Sequence, residues 1–438
     1  MTVWGAAAVE AAQGELRIRP GDLVTPLARE RAAQLGVKII AGEPGAGNGT
    51  APANVRGSGP PPARAASGGG PNGQGGQSPA RAAGGGGPNG WAGPDGQAGR
   101  PSVPAISGAL YRRGAPIARA GADRQAGPGG RVMVVGAGHV GMITAARLAD
   151  ADVFSEIVLV DVADGLAAGI ALDLTHTAAL AGYRTVVSGA TTVEEAGPAD
   201  YVVITAGRAR QPGMSRSDLV TTNAEIVGDV AARVAVVAPA AVLVIVTNPL
   251  DEMTQHAWQA SGFPAERVIG MAGVLDTARF QALAALAGGL RPDQVSAVAL
   301  GSHGDEMVIP LSQASAAGRP LTEVLGEQTV AGIVDRARNS GAEVVGLLKK
   351  GSAFMAPGAS AARMVLAMAA DRGDVLPAAV LADGSYGITG VYIGLPARLG
   401  PRGVREILEL PLRPAELADL RRAANRIRER LGVLAGAR

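Results

Sequence analysis

A hydrophobic run that ends in three closely spaced glycines is the feature that most restricts how this chain can fold. Residues 132–135, Val-Met-Val-Val, lead directly into Gly136-Ala-Gly138-His-Val-Gly141 and then into a stretch of helical pattern. In such a unit the first glycine permits a tight turn, the second lets the backbone approach a pyrophosphate, and the third lets helix and strand pack closely. The strand before and the helix after the triplet favour a dinucleotide-binding turn over a turn that serves packing alone.

An acidic residue at the end of the next predicted strand supports this interpretation. Asp161 follows residues 157–160 and lies twenty residues after Gly141. A carboxylate at this position accepts hydrogen bonds from ribose hydroxyls and repels a 2′-phosphate. The pattern therefore predicts NAD as the cofactor in preference to NADP.

Apolar strands alternate with helical stretches from residue 131 onwards. The strands are predicted at residues 132–135, 157–160, 201–205 and 242–246. Fully apolar strands in this alternation indicate a parallel sheet covered on both faces. The predicted fold class is α/β, with a Rossmann-type doubly wound parallel sheet domain followed by an α+β substrate-binding and catalytic domain. Residues 414–434 predict a closing amphipathic helix with its charges on the outer face.

The segment before residue 131 differs in composition from the rest of the chain. Gly and Pro together make up about half of positions 41–100, so too little apolar surface can be buried to offset chain entropy. Residues 15–40 are an exception, because Thr25, Pro26 and Gly36 fit the start and end of a short helix between strands at 16–18 and 37–40. The apolar face of this helix comprises Leu27, Ala28, Ala32 and Leu35.

These patterns divide the chain into four parts. We expect a short docking or encapsulation-like peptide at residues 1–45, a disordered linker rich in Gly, Pro and Ala at 46–130, an NAD-binding domain at 131–273 and a catalytic domain at 274–438.

Composition excludes several classes of function. The absence of Cys excludes a disulfide framework, a Cys nucleophile and a thiolate metal site, and with only four His we predict no metal. The sequence contains no 18-residue apolar run and no signal-peptide pattern, so we expect no membrane partner and a cytoplasmic location. The arginines of residues 1–130 form no dense patch and have almost no aromatic residues beside them, so nucleic-acid binding is not expected.

Two further motifs follow predicted strands, at the sheet edge where doubly wound folds bind ligands, and two more occur later in the chain. They contain Arg210 and Arg216, Asn248, the pair Asp276 and Arg279, and finally His303. Each alone has a structural explanation, as a solvated loop, a turn, a helix salt bridge or a loop histidine. Together they supply an acid/base group, a carboxylate to orient it and arginines for an anionic substrate.

Residues 131 to about 433 resemble the lactate/malate dehydrogenase family, in its branch of lactate-dehydrogenase-like malate dehydrogenases. The resemblance rests on motifs in the order and spacing of the family: VGAGHVG, ALDL, ITAG, QPGMSR, VTNPLDEMT, MAGVLDTARF, GSHGDEM, GAEVVGLLKKGSAFMAPGAS and YGITGVYIGLPARLG. Residues 1–130 lie outside it. The family implies a homo-oligomer, either a dimer or a tetramer.

The resemblance implies a role for each polar residue of these motifs. His303 would be the general acid and base, and Asp276 would hold its imidazole. Arg279 would clamp the substrate carboxylate, while Arg216 would polarise the carbonyl from a lid that covers residues 208 to about 220. Asn248 would bind both substrate and cofactor. The residues implied for NAD binding are Gly136, Gly138, His139, Val140, Gly141, Asp161, Thr205, Ala206, Gly207, Asn223, Val246 and Asn248.

Arg210 is the residue expected to select the substrate. It aligns with a position where lactate-specific members of the family resemble one another in having Gln. A guanidinium at this position pairs with the second carboxylate of oxaloacetate, whereas pyruvate leaves it unpaired at a cost of several kcal/mol. The expected function is therefore NAD-dependent malate dehydrogenase acting on oxaloacetate and malate. An L-lactate or other 2-hydroxy acid dehydrogenase, or an inactive scaffold of the same fold, remain alternatives.

The N-terminal segment LVTPLARERAAQLGVKI is similar to N-terminal segments of bacterial-microcompartment enzymes. That resemblance implies that residues 15–40 bind microcompartment shell or core proteins and that the enzyme lies inside a microcompartment. A role in oligomerisation or in docking another partner, and a dispensable extension, remain open.

Overall fold

The structure is a computed structural model, which describes residues 3–4, 9, 12, 14–19, 23–24, 26–41, 129–208, 216–304, 306–349 and 351–436. The chain divides into two units, Met1–Pro94 and Asp95–Arg438. Nearly all of the predicted linker at 46–130 lies outside the described residues, as do Thr25 and Arg210. Within the described ranges, no helix is both long and apolar enough to cross a membrane.

The first unit contains the helix and the two strands predicted within residues 15–40. Its elements are β1 (Val3–Trp4), β2 (Glu15–Ile18), β3 (Leu23–Val24), α1 (Pro26–Leu35) and β4 (Lys38–Ala41). β1 pairs in parallel with β3, and β2 pairs in parallel with β4. A small core forms between them from Val9, Leu16, Ala28, Ala32 and Val37.

The ends of α1 follow the prediction in one respect and depart from it in another. Gly36 ends the helix with a φ of +68°, in the left-handed region that glycine adopts without a Cβ clash. Leu35 was expected on the apolar face, but it is 49% exposed. That expectation is wrong for Leu35, which lies at the last position of the helix, whereas Ala28 and Ala32 are buried in the small core; the Leu27 side chain lies outside the described part of the structure.

In the described part of the second unit, eleven strands form one mixed sheet. The strands of this unit are β5 (Arg131–Val135), β6 (Glu156–Val160), β7 (Val186–Ala190), β8 (Tyr201–Ile204), β9 (Val242–Ile245), β10 (Val268–Gly270), β11 (Val295–Ser296), β12 (Leu300–Gly301), β13 (Met307–Val308), β14 (Ser315–Ala316), β15 (Arg319–Pro320), β16 (Val375–Asp383), β17 (Thr389–Gly400) and β18 (Gly403–Ile407). Six of them are parallel, in the order β7-β6-β5-β8-β9-β10 of a doubly wound nucleotide-binding sheet.

The sheet does not end at β10. It continues through β16, β17, β12 and β13, which are antiparallel to their neighbours, and β18 pairs with β17. A separate three-stranded sheet consists of β11, β14 and β15. The predicted parallel domain followed by an α+β domain is therefore confirmed.

Helices cover both faces of the sheet. They are α2 (His139–Ala151), α3 (Leu166–Ala181), α4 (Val193–Ala196), α5 (Arg216–Val237), α6 (Leu250–Ser261), α7 (Gly273–Gly288), α8 (Leu321–Leu325), α9 (Glu327–Leu348), α10 (Met355–Ala370) and α11 (Pro414–Gly436). Alternate residues of β5 face opposite cores: Val132 and Val134 pack with α2 and α10, whereas Met133 packs with α5 and α6. This two-sided burial is the reason why the strand is apolar at every position.

The predicted closing helix is α11, but its charges do not all face outward. Arg430 forms an ion pair with the buried Glu252 of α6, and Arg421 Nε donates to the Tyr386 carbonyl oxygen at 2.8 Å. The expectation of an outer charged face is therefore wrong for Arg430, because it meets a buried carboxylate at the surface on which the helix packs, whereas Arg421 remains exposed.

Candidate active site

The glycine turn between β5 and α2 has the shape that a pyrophosphate requires. Gly136 has a φ of +101°, and a Cβ there would lie 2.6 Å from Thr205 Oγ1. A Cβ on Gly141 would lie 1.8 Å from the Gly136 carbonyl oxygen. A Cβ on Gly138, in contrast, would meet no protein atom within 4 Å. Two glycines thus allow the turn to close, and the third keeps open the space in front of the α2 N-terminus, where backbone N–H groups attract an anion.

Asp161 lies where β6 ends and holds this turn in place. Its Oδ2 accepts a hydrogen bond from the Ala137 N–H at 2.8 Å, and its Oδ1 accepts one from the Ala163 N–H at 2.9 Å. Each carboxylate oxygen retains a second lone pair, so the group can still accept a ribose hydroxyl. The open cradle and this carboxylate fit NAD.

Two of the predicted cofactor residues brace neighbouring strand ends through their side chains. Thr205 Oγ1 donates to the Gly136 carbonyl oxygen at 3.0 Å. Asn223 is buried, and its Nδ2 donates to the Asn248 carbonyl oxygen at 2.7 Å while its Oδ1 accepts from the Arg208 N–H at 2.7 Å. The loops after β5, β8 and β9 are therefore tied together around the cofactor turn.

The remaining predicted cofactor residues surround the same turn. His139 is exposed, and its ring lies against the Phe354 ring with centroids 4.9 Å apart. Val140 is half-buried, and Asn248 is exposed at the end of the β9 loop. Ala206, Gly207 and Val246 follow β8 and β9.

A buried carboxylate holds the predicted acid/base residue. Asp276 lies in the first turn of α7 and His303 follows β12, and the Asp276 Oδ2 to His303 Nδ1 distance is 2.8 Å. The Asp276 side chain is 2% exposed and that of His303 15%. Arg279 NH1 lies 3.3 Å from Asp276 Oδ1, and its side chain is 16% exposed. The three side chains form a chain of contacts that reaches solvent at the histidine and at the arginine.

The environment of His303 favours the protonated imidazole. Burial lowers the pKa of His303, but the charge and hydrogen bond of Asp276 raise it, and the net direction is upward. Asp251 adds to the increase, and Arg279 opposes it. An imidazole in this setting can hold a proton near neutral pH and release it to a substrate oxygen.

An open cleft of about 500 Å³ lies beside His303. Its wall is formed by Leu219 and Val220 of α5, by Asn248 and the start of α6, and by residues of α11. Arg216 begins α5, but its side chain is outside the described part of the structure. The structure therefore brings Asn248 and His303 to one cleft, and it does not describe where Arg210 lies.

Sequence reasoning missed a second polar cluster next to His303. Asp251 and Glu252 are buried in the first turn of α6, and they contact Ser302 and Arg430 respectively. The motif VTNPLDEMT contains a signal for this cluster, since Asp251 and Glu252 are adjacent carboxylates within it. Carboxylates seldom enter a core without partners, so polar partners were to be expected. Among the described residues, no group of three or more His, Cys, Asp or Glu side chains is arranged to hold a metal ion.

With the dinucleotide cradle and the carboxylate-held histidine in one unit, the chain falls in the class of NAD-dependent dehydrogenases. Two family models match it: "lactate/malate dehydrogenase, NAD binding domain" over residues 130–270, and "lactate/malate dehydrogenase, alpha/beta C-terminal domain" over residues 273–433. The chain belongs to the lactate/malate dehydrogenase family.

Curated relatives and solved structures agree with this assignment. The chain is 44% identical over 305 residues to a malate dehydrogenase of Pelodictyon phaeoclathratiforme. The aligned region covers 70% of this chain and 98% of the relative. A malate dehydrogenase structure from Salinibacter ruber is 38% identical with a TM-score of 0.67, covering 70% of this chain and 97% of that one. A lactate dehydrogenase from Cryptosporidium parvum, solved with lactic acid and NAD, is 35% identical with the same TM-score of 0.67, covering 70% and 98%.

Proposed function

We propose that this protein is an NAD-dependent malate dehydrogenase that interconverts oxaloacetate and (S)-malate. The observation that carries the proposal is the 2.8 Å contact between Asp276 and His303 beside an open cleft, in a chain whose cofactor cradle fits NAD. Malate dehydrogenases 44% identical to the chain, which it matches over nearly their whole length, support the choice of substrate.

His303 transfers the proton in this proposal. Its Nδ1 is engaged by Asp276, so Nε2 is the nitrogen that exchanges a proton with the substrate oxygen. Bound NADH supplies the hydride that reduces the carbonyl carbon. Asp276 fixes the tautomer of the ring and stabilises the imidazolium form, as the carboxylate of a catalytic triad does.

Arginines bind the substrate and stabilise its charge. Arg279 lies next to Asp276 and is 16% exposed, and its planar guanidinium suits a bidentate carboxylate contact. Arg216 stabilises negative charge that develops on the carbonyl oxygen, and Asn248 donates a hydrogen bond to the substrate. Arg210 pairs with the second carboxylate of oxaloacetate, and residues 208 to about 220 form a lid that excludes water.

The cofactor contacts follow from the cradle. Gly138 and the first N–H groups of α2 bind the pyrophosphate, and Asp161 accepts the ribose hydroxyls. Gly136, Gly141 and Thr205 shape the turn, while the other predicted cofactor residues surround it. We retain the proposed division into an NAD-binding domain at residues 131–273 and a catalytic domain at 274–438.

The test is NADH oxidation with oxaloacetate and then with pyruvate, for the wild type and for Arg210→Gln. We expect oxaloacetate to be the better substrate of the wild type, and Arg210→Gln to reduce its kcat/KM by about a hundredfold or more relative to that of pyruvate. Better turnover of pyruvate by the wild type would favour the lactate alternative, which the solved lactate dehydrogenases of similar fold also support. No turnover of either acid would favour the scaffold alternative.

We also propose that residues 15–40 bind shell or core proteins of a bacterial microcompartment. The support is a folded segment that still exposes Leu35 and Ile40. Residues 1–45 fused to a fluorescent protein should form puncta when produced together with shell proteins. The same fusion carrying Leu35→Ser should form fewer puncta, because it loses an exposed apolar contact. The variant should still fold, because Leu35 contributes little to the small core. Diffuse fluorescence of the unchanged fusion would contradict the proposal.

The enzyme is further proposed to be a homodimer or homotetramer. Its support is the exposed apolar surface of α3, where Leu172 and Leu180 are 58% and 89% exposed. Light scattering of the full chain and of a chain that lacks residues 1–125 should give the same multiple of the monomer mass. A monomer in both cases would refute the proposal.

A further inference from the structure

A buried carboxylate that the proposed mechanism does not use lies against the acid/base residue. Asp251 is 1% exposed, and its Oδ2 accepts hydrogen bonds from the Ser302 hydroxyl at 2.7 Å and from the His303 backbone N–H at 3.1 Å. Its Oδ1 is buried without any hydrogen-bond partner. Asp251 thus contacts the His303 segment through its main chain, whereas Asp276 contacts the imidazole ring itself.

The cluster extends from Asp251 to the C-terminal helix. Ser302 Oγ donates to Asp251 and accepts a hydrogen bond from Arg430 NH2 at 3.0 Å. Arg430 also pairs with the buried Glu252 and, through NH1, with Glu306 Oε2 at 2.8 Å. One guanidinium of α11 therefore neutralises two carboxylates and holds the hydroxyl that binds Asp251.

We propose that Asp251 is a second positioning carboxylate of the active site, and that Arg430 ties it to the C-terminal helix through Ser302. The inference rests on the proposed role of His303 as the acid and base. Asp251 fixes the main chain that carries the imidazole, and its negative charge adds to that of Asp276 in favouring the imidazolium. Arg430 opposes this effect, because it neutralises the carboxylates next to Asp251.

The charges around Asp251 come from every element packed on it. Burial, with the adjacent Glu252 carboxylate as the second cause, raises the pKa of Asp251 to about 7. Asp276 contacts the imidazole at Nδ1, and Arg279 contacts Asp276. The charged groups along the cleft side are Glu252, Glu306, Arg426, Glu429 and Arg430.

The network makes opposite predictions for its two ends. Asp251→Asn keeps the size of the side chain and removes its charge, so the pKa of His303 should fall. Because the pKa of Asp251 is itself about 7, its carboxylate is only partly ionised near neutral pH, and the fall should be less than about one pH unit. Arg430→Gln removes the cation that neutralises Glu252 and Glu306. Asp251 offsets part of the added negative charge because its own pKa rises too, and the part that remains should raise the pKa of His303. General loosening of the site would instead move both variants downward, toward the ordinary value of 6.5.

The measurement is an NMR titration of the histidine Cε1–H signals in the full chain without ligand. Only four histidines contribute signals, and His303→Asn identifies the one that matters. Glu429→Gln is the matched control: it removes a carboxylate at the exposed rim of the same cleft, where water screens it, and should leave the titration almost unchanged.

A lower pKa of His303 in Asp251→Asn together with a higher pKa of His303 in Arg430→Gln supports the network. The pH midpoint of kcat/KM for NADH oxidation with oxaloacetate should move in the same direction in each variant. An unchanged His303 titration in Asp251→Asn, or a fall in Arg430→Gln, would overturn it. If Asp251→Asn does not fold, the direction of the Arg430→Gln shift decides. If both shifts in the His303 pKa are observed but the protein reduces neither oxaloacetate nor pyruvate, the positioning network is supported and the proposed function is refuted.

Discussion

A methyl group added at Gly138 or at Gly141 should separate cofactor binding from stability. At Gly138 the backbone is extended, with φ −66° and ψ −176°, and the new Cβ would meet no protein atom within 4 Å. Ala restricts the unfolded chain more than Gly does, which raises the free energy of unfolding by about 0.4–1 kcal/mol. Ala is also a poorer N-cap residue than Gly, which lowers the free energy of unfolding by a similar amount. The two effects nearly cancel, so Tm should change by no more than about 2 °C. The methyl group nevertheless occupies the space proposed for the pyrophosphate.

Gly141→Ala provides the contrasting case. Helix propensity alone would stabilise Ala by about 1 kcal/mol inside α2. The new Cβ, however, would lie 1.8 Å from the Gly136 carbonyl oxygen, which is backbone and cannot rotate away. Separating the two atoms requires the turn to move by roughly 1 Å, and overpacking of this kind costs about 1–3 kcal/mol or more. The steric effect wins, and Tm should fall by several degrees.

The assay is thermal unfolding combined with NADH titration by fluorescence. Gly138→Ala should keep the wild-type Tm and bind NADH at least about tenfold more weakly, which corresponds to about 1.4 kcal/mol. Gly141→Ala should lose both stability and affinity. Wild-type NADH affinity in Gly138→Ala would refute the assignment of the open cradle, and an unchanged Tm in Gly141→Ala would refute the steric reasoning.

Three further results are expected at other sites. Because the pKa of His303 is raised above 6.5, increasing pH should lower kcat/KM for oxaloacetate reduction and raise kcat/KM for malate oxidation, with one shared midpoint above 6.5. Asp276→Asn should lower both rates by about two orders of magnitude and move this midpoint to lower pH. A wild-type midpoint below pH 6.5 would contradict the prediction. Arg279→Lys should raise KM for oxaloacetate at least about tenfold with a smaller change in kcat, because Lys cannot make the bidentate contact; equal losses in both constants would argue against a carboxylate clamp. Tyr386→Phe should reduce the free energy of unfolding by about 1–3 kcal/mol without changing kcat. The reason is that the Tyr386 hydroxyl donates to the Leu408 carbonyl at 3.0 Å and accepts from the Leu410 N–H at 2.8 Å. Urea unfolding measures the effect, and an unchanged unfolding midpoint would exclude it.

The sequence was sufficient to predict the parallel strands that are apolar at every position. β5, β6, β8 and β9 were all predicted within one residue of their ends, because burial on both faces leaves an uninterrupted hydrophobic run. β7 and β10 were not predicted. β7 is an edge strand that includes Ser188 and Gly189, and β10 has only three residues, so neither produces such a run.

The site was predictable where one motif carries one role, and not where distant elements meet. Asp276 and His303 were paired through the resemblance to the family, and the structure brings them within 2.8 Å. The contact between Arg430 and Glu252 joins residues 178 positions apart, and the helical pattern of α11 predicts an outward arginine. Only the packing of α11 across the start of α6 shows that this side chain points inward.

β10 and β16 share an edge, so the dinucleotide half and the catalytic half of the second unit are parts of one sheet. Losing either half would leave the other with an open strand edge in water, where unpaired backbone groups invite aggregation. The two halves are therefore expected to melt together, in a single cooperative transition. A dinucleotide that touches only the parallel strands would in this way also protect the antiparallel strands from heat and from proteases.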